Sequence, residues 1–329
     1  MHLMVALPSE AAMTVNLTDP IFHDETAARK HLEGLRWPNG AFCPHCGATD
    51  GITRLQGKSH RAGLHQCNGC REHFTVTVGS VMERSHISLP KWVLGFHLMA
   101  ASKKGMSSAQ LSRMLGITYK AAWFMSHRIR EAMTPTAAET EPMGGEGKIV
   151  EADEAYLGKA ETPILSESRK GRPLLKRDLS KQKRPIFALV ERGGQARAFH
   201  VKHVTANNLK AVLLANVDTK SRLHTDESRL YPTIAKAFAT HETVHHGAGE
   251  YARGDVTTNS VEGFFGVLKR GMKGVYQHCG EQHFQRYLNE FAFRHNHRIK
   301  LGVNDTARAA IVIRGAGGKR LTYRGTHTA

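Results

Sequence analysis

The chain has 329 residues, with 46 Lys and Arg against 29 Asp and Glu, a net charge of +17 and a pI near 9.9. That length suffices for about two or three domains with a sizeable core, and the charge favours a polyanionic partner, phosphate backbones being the commonest in a cell. No charged region followed by an apolar core opens the chain, and its most apolar stretch, Trp92 to Ala101, is too short to span a bilayer, so a soluble cytosolic protein with no membrane partner is expected.

Residues 1–40 read as a leader with a short helix from Asp24 to Leu35, ended by Trp37-Pro38-Asn39-Gly40. Residues 41–86 follow, built around Cys43-Pro-His-Cys46 and Cys67-Asn-Gly-Cys70, with 20 residues between the two pairs. Two such knuckles supply four thiolates at tetrahedral positions, as one structural zinc ion requires, and in so small a segment the metal supplies much of the folding energy. The fifth cysteine, Cys279, stands alone and reads as a half-buried thiol.

Residues 87–133 look wholly helical: Leu89 to Ala101, a second helix begun by Ser107 and running to Leu115, a Gly116-Ile117-Thr118 turn, and a third helix from Tyr119 to Met133. A short helix, a Gly-containing turn and a longer basic helix make the helix-turn-helix pattern of DNA recognition. Tyr119, Lys120, Ser126, His127 and Arg128 are its exposed candidates. An ordinary three-helix bundle with solvated basic residues is the alternative. Residues 134–148, rich in Pro, Gly, Thr and Glu, make a linker.

From there strand-like runs (IVEADEAYL, PIFALVER, ARAFHVKHV) give way to a helix near Asn207–Asn216, a short strand before Asp226, ETVHH, and a helix in TTNSVEGFFGVLKRG. This order predicts a mixed α/β sheet over residues 149–300, followed by a tail over 301–329. A basic insertion, residues 159–185, contains Lys176 and Arg177 and reads either as a loop that orders on DNA or as a solvated surface loop.

Acids are scarce in this region, so those set in apolar strands stand out. Period-two alternation puts Glu151 and Asp153 on one face of their strand and Glu154 on the other. Asp226 sits just past a short strand, either at a site of the kind α/β sheets build there or as a helix N-cap. Asn259 and Glu262 have the spacing of a capping box, yet Glu262 and Lys269 lie two turns apart over one surface. Both readings of Glu262 stay open on local pattern.

Taken in order, LRWPNGAFCPHCG, FTVTVGSVME, ASKKGMSSAQLSRMLGITYKAAWFMSHRIREAM, EADEAYLG, HTDESRLY, TTNSVEGFFGVLKRGMKGVYQH and YLNEFAFRHNHR resemble the DDE transposases of bacterial insertion sequences, in the subgroup with an N-terminal zinc ribbon. The resemblance implies a ribonuclease-H-like core whose three acids bind two Mg²⁺ (or Mn²⁺) ions. Asp153, Asp226 and Glu262 match those acids, with 35 residues between the last two. Asp153 would bridge both ions, Asp226 holding one and Glu262 the other. Asn259 matches a position where some members carry Asn as the third residue, and Lys269 matches a basic residue that, with Arg270, would meet a phosphate. The implied activity is phosphodiester cleavage and strand transfer, on terminal inverted repeats and target DNA, by a dimer or higher oligomer associated with the nucleoid. A DNA-binding regulator with a domesticated core, or a nuclease of this fold that does not join strands, are the alternatives.

Overall fold

The computed structural model describes residues 16–136, 140–158, 165–166, 172–173 and 183–322. The chain divides into two compact units, Met1–Met133 with His297–Ala329, and Thr134–Asn296.

In the first unit, α1 (Glu25–Arg36) starts where the Asp24 carboxylate accepts the Ala27 N–H at 2.7 Å. A small antiparallel sheet follows, of β1 (Ile52–Arg54), β2 (His65–Cys67) and β3 (His73–Phe74). Then come α2 (Leu89–Ala101), α3 (Ser108–Leu115) and α4 (Tyr119–Ala132). Ser107 caps α3 through the Gln110 N–H, Gly116 ends it at φ 57°, and Thr118 caps α4 through the Ala121 N–H. Only glycine adopts that left-handed conformation without penalty, so the turn between α3 and α4 is set by one residue. Gly95 lets α2 approach α4: a Cβ there would lie 2.6 Å from Cε of Met125.

Three residues expected to be exposed on α4 are not. Ser126, His127 and Arg128 are buried, whereas Tyr119 and Lys120 at the first turn are exposed. Each is covered by a neighbour one turn back on the same helix. Ser126 Oγ donates to Trp123 O at 2.8 Å, the His127 ring lies 4.4 Å from the Trp123 ring, and the Arg128 guanidinium sits 4.4 Å over Phe124.

The second unit is built on β4 (Ile149–Leu157). Short β5 (Leu165–Ser166) and β6 (Arg172–Pro173) pair with each other, and β7 (Arg184–Glu191) and β8 (Ala196–His200) continue the sheet as antiparallel neighbours. After α5 (Ala206–Asn216) the chain crosses to the other side of β4. There it lays down β9 (Arg222–Asp226), α6 (Pro232–Ala235) and β10 (Thr240–Val244), the strands parallel to β4. The sheet order is β10-β9-β4-β7-β8. A hairpin of β11 (Ala252–Arg253) and β12 (Val256–Thr257) leads into α7 (Asn259–Gly271) and α8 (Phe284–Asn296).

Strand alternation decides which helices cover which face. Ala155, Leu157, Ile186, Ala188 and Val190 pack with Val261, Phe264, Phe265 and Leu268 of α7 and with α8. Val150, Ala152, Phe187 and Leu189 pack on the opposite face with Leu209 and Leu213 of α5 and with Tyr231 and Ile234. Burying both faces this way gives a three-layer unit. The C-terminal stretch 301–329, read from sequence as a tail, holds α9 (Asp305–Arg314) in the first unit, capped by Asn304 and packed against α2.

Candidate active site

In the first unit the four cysteines converge. Cys43 and Cys70 sulfurs lie 3.6 Å apart, as do those of Cys46 and Cys67, and all four fall within 4.8 Å of one another. A tetrahedral ion at ~2.3 Å from each thiolate requires sulfur spacings of about 3.8 Å, so the set fits zinc. The two knuckles share one hydrogen-bond scheme. Cys43 O accepts the Gly47 N–H and Cys67 O the Arg71 N–H, and both cysteines donate their own N–H five residues on, to Ala48 O and Glu72 O. The left-handed residues are Gly47 (φ 80°) and Arg71 (φ 66°), not Gly69. His65 is buried, stacked on Phe74 and edge-on to Trp37.

In the second unit the acids gather at the carboxyl ends of β4 and β9. The ladder between these parallel strands pairs Ile149 with Arg222 and stops at Glu151 with His224. Continuing that register sets Asp226 beside Asp153. Beyond the last ladder pair the Glu154 N–H turns to Asp153 Oδ1 at 2.7 Å. Here the chain order reverses, β7 and β8 lying on one side of β4 and β9 and β10 on the other. Open α/β sheets place their ligand sites outside strand carboxyl ends at this kind of reversal.

One carboxylate oxygen each from Asp153, Glu154 and Asp226 lies within 4.8 Å of the others. Burial pushes the Asp153 carboxyl up to about 7; Asp226 and Glu262 add to the rise, and Lys269 opposes it. Burial likewise raises Glu154 to about 7, against a 2.7 Å hydrogen bond donated by the Tyr231 hydroxyl. Hard, closely spaced carboxylates are a suitable donor set for a divalent cation such as Mg²⁺. Glu154 reaches the cluster from the opposite face of β4, and strand alternation alone had set it apart from Asp153.

Glu262 lies outside that 4.8 Å group but on the same face as Asp153, with which it interacts through charge. It accepts a hydrogen bond from Thr258 Oγ1 at 2.8 Å and lies 3.6 Å from His246 Nε2. The capping box that the spacing of Asn259 and Glu262 allows does not form. Thr258 is the N-cap, and Asn259 is the first residue of α7, its N–H bonded to Thr257 Oγ1. The free N–H groups at this terminus are taken by Glu151, whose Oε2 accepts from Ser260 N at 2.6 Å and Val261 N at 3.1 Å. A carboxylate from a distant strand does the capping, so Asn259 and Glu262 need not.

Glu151 is fully buried. Its Oε1 accepts Ser260 Oγ–H at 3.0 Å and two N–H groups of Arg192, at 3.0 and 2.7 Å. Arg192 also donates to Asp255 O and Thr257 O. The pair therefore fastens β4 to the hairpin and to the first turn of α7, and its role could not be read from alternation alone. Lys269 and Arg270 are exposed on α7, Lys269 lying 5.7 Å over the Phe265 ring. Lys176 and Arg177 lie outside the described residues.

Among the described residues, no helix is long and apolar enough to cross a membrane. A family model described as an ISXO2-like transposase domain matches residues 144–296, and one described as a transposase zinc-ribbon domain matches residues 23–73. A protein of Halobacterium salinarum described as an uncharacterized protein in transposable element ISH50 is 27% identical over 283 residues, covering 83% of this chain and 91% of that protein. The two matched segments hold the acid cluster and the four cysteines respectively. The chain belongs to the insertion-sequence transposases that carry an N-terminal zinc ribbon, a class of DNA-cutting enzymes.

Proposed function

We propose that the chain binds the terminal inverted repeats of an insertion sequence and carries out two-metal phosphodiester cleavage and strand transfer at Asp153, Asp226 and Glu262. The observation that carries this reading is a set of carboxylates at the chain-order reversal of a mixed sheet, inside the segment matched by the transposase-domain model. Sheet order β10-β9-β4-β7-β8, with β7 alone antiparallel to the rest, supports a ribonuclease-H-like core. The α3–Gly116–α4 turn supports a helix-turn-helix, with Tyr119 and Lys120 as its exposed DNA contacts. Ser126, His127 and Arg128 are left out of that role by their burial.

Asp153 and Asp226 would hold the Mg²⁺ ions together with Glu262. When bound, the ions activate the attacking oxygen and neutralise charge on attacking and leaving oxygens alike. The protein's own part is to bring the acids together beside Asp153, whose burial favours its protonated form when no cation is bound. Lys269, close enough to Asp153 to oppose the rise in its pKa, is placed to pair with a phosphate beside the scissile bond. Glu262 is favoured over Asn259 as third ligand because its charge acts on Asp153, which a neutral amide cannot do.

A Mg²⁺-dependent strand-transfer assay on terminal-repeat DNA tests the reading. Wild type is expected to cleave and join, and Asp153→Ala to lose more than about 10³-fold in rate. Cleavage without joining would make the chain a nuclease, and tight binding by an inert wild type would make it a regulator. Glu262→Gln losing activity while Asn259→Ala keeps it assigns the third ligand; the reverse result moves it to Asn259.

A further inference from the structure

We infer that a cationic cavity beyond the C-terminal end of α7 seats one nucleotide of the bound DNA strand, a few nucleotides from the phosphodiester presented to Asp153 and Asp226. This rests on the reading of DNA as substrate. The cavity, about 430 Å³, lies within the second unit. Its apolar wall is Leu157, Met272 and Phe284, all buried, and its polar wall is Arg184, Lys273 and His278. Among the described residues no acid lines it; the neighbouring Glu281 lies against His200 at 3.8 Å.

The two walls choose the ligand. Two permanent cations and an imidazole attract an anion, whereas a bare phosphate would leave the apolar wall unmatched. A purely apolar ligand would strand the charges. A nucleotide uses both, its phosphate on Lys273 and Arg184 and its base against Phe284 and Met272. Arg184 is held for this, its guanidinium 5.2 Å over the Phe284 ring and its backbone paired with Leu157 across β4 and β7. The volume falls at the lower end of ligand pockets, about 300–1,000 Å³.

The cavity is joined to the acids by two elements. Asp153 and Leu157 are four residues apart on β4, about 13 Å at ~3.3 Å per residue, or roughly four nucleotides at ~3.4 Å per stacked nucleotide. Along α7 and the turn after it, Lys269 and Lys273 are both exposed, one beside the acids and the other at the cavity. A strand lying on this cationic track reaches the cavity with its backbone neutralised, and one unstacked base can enter.

Cys279 lines the cavity and is separate from the four clustered cysteines, so it is a built-in reporter. The test follows its alkylation by N-ethylmaleimide in the full zinc-loaded chain, by mass spectrometry, without Mg²⁺ and with terminal-repeat duplex. At ten times its Kd the DNA is expected to slow alkylation about tenfold. With Lys273→Glu, tested at ten times its own Kd, protection is expected to fall below about twofold. A strand carrying 4-thiothymidine gives a second readout, expected to crosslink to residues 272–284 from about four nucleotides away. Saturating DNA that neither protects Cys279 nor crosslinks there overturns the inference and leaves the DNA reading intact. Protection by inorganic phosphate equal to that by DNA reduces the cavity to a simple anion site and also overturns it. Failure of the DNA to shift the protein on a gel sinks the DNA reading as well.

Discussion

The four-cysteine cluster and the acidic cluster each gather metal-ligating groups, and they are built in opposite ways. The cysteines sit on two copies of one tight turn, each turn self-sufficient in hydrogen bonds and each supplying two sulfurs. All four positions of a tetrahedron are filled, so that site is closed and serves the fold. The acids come from the ends of strands β4 and β9 and from a helix more than a hundred residues along the chain from β4. They are collected beyond the last paired residues of two parallel strands, and burial disfavours the charged forms of the two on β4, Asp153 and Glu154. One site holds its protein together; the other is held together by its protein, at some expense in stability. This is the difference expected if the second site is the catalytic centre proposed above.

Metal removal is the largest way to break the comparison. Chelation that strips zinc is expected to unfold the segment around β1, β2 and β3 and expose it to limited proteolysis. Amide exchange in β4, β7 and β9 is expected to stay slow. Loss of protection in both regions together would show that the fold depends on zinc throughout.

The next largest effect concerns the clamp that brings helix to strand. Glu151→Gln leaves the Arg192 guanidinium without its counter-charge and is expected to cost about 2–3 kcal/mol, read as a lower urea midpoint at unchanged slope. Because Glu151 ties α7 to β4, the same variant is expected to weaken Mn²⁺ binding, which an effect on stability alone would leave unchanged.

A smaller and more diagnostic effect comes from Asp153. Its folded value near 7 lies above the ordinary 3.8, so the fold prefers the protonated form. The associated stability is present below pH ~4 and is lost as pH rises toward ~7. In metal-free buffer at pH 8, Asp153→Asn is therefore expected to be more stable than wild type by about 1–3 kcal/mol, with the gap closing near pH 4. Mg²⁺ is expected to raise the melting temperature of wild type and not of the variant. Equal curves with and without Mg²⁺ would remove the acid cluster from the list of metal sites.

What can be read from residues alone follows from how local each feature is. The CxxC pairs were legible because both knuckles close within six residues, and the helices from Leu89 to Ala132 because capping residues and a left-handed glycine mark their ends. Strand β4 and its alternation were legible too, since a period of two needs no partner. The burial of Ser126, His127 and Arg128 was not, because a polar side chain on a helix announces nothing about what covers it. Helix α9 was passed over as a tail, its apolar residues making sense only against α2. The capping of α7 could not be decided locally, since Asn259 and Glu262 have the spacing of a capping box, yet the carboxylate that takes the N–H groups comes from 109 residues upstream.

The sequence by itself determined the ligand types, thiolate in one region and carboxylate in the other, and the local geometry of the thiolates. Tertiary structure decided which carboxylates meet. Asp153 and Asp226 are neighbours through strand register, Glu154 joins them around the end of a ladder, and Glu151 is withdrawn from chemistry into a clamp. Side-chain pattern reports the face of an element, but convergence depends on how elements pair and where their pairing stops. That information is carried by the packed sheet, not by any one segment of the chain.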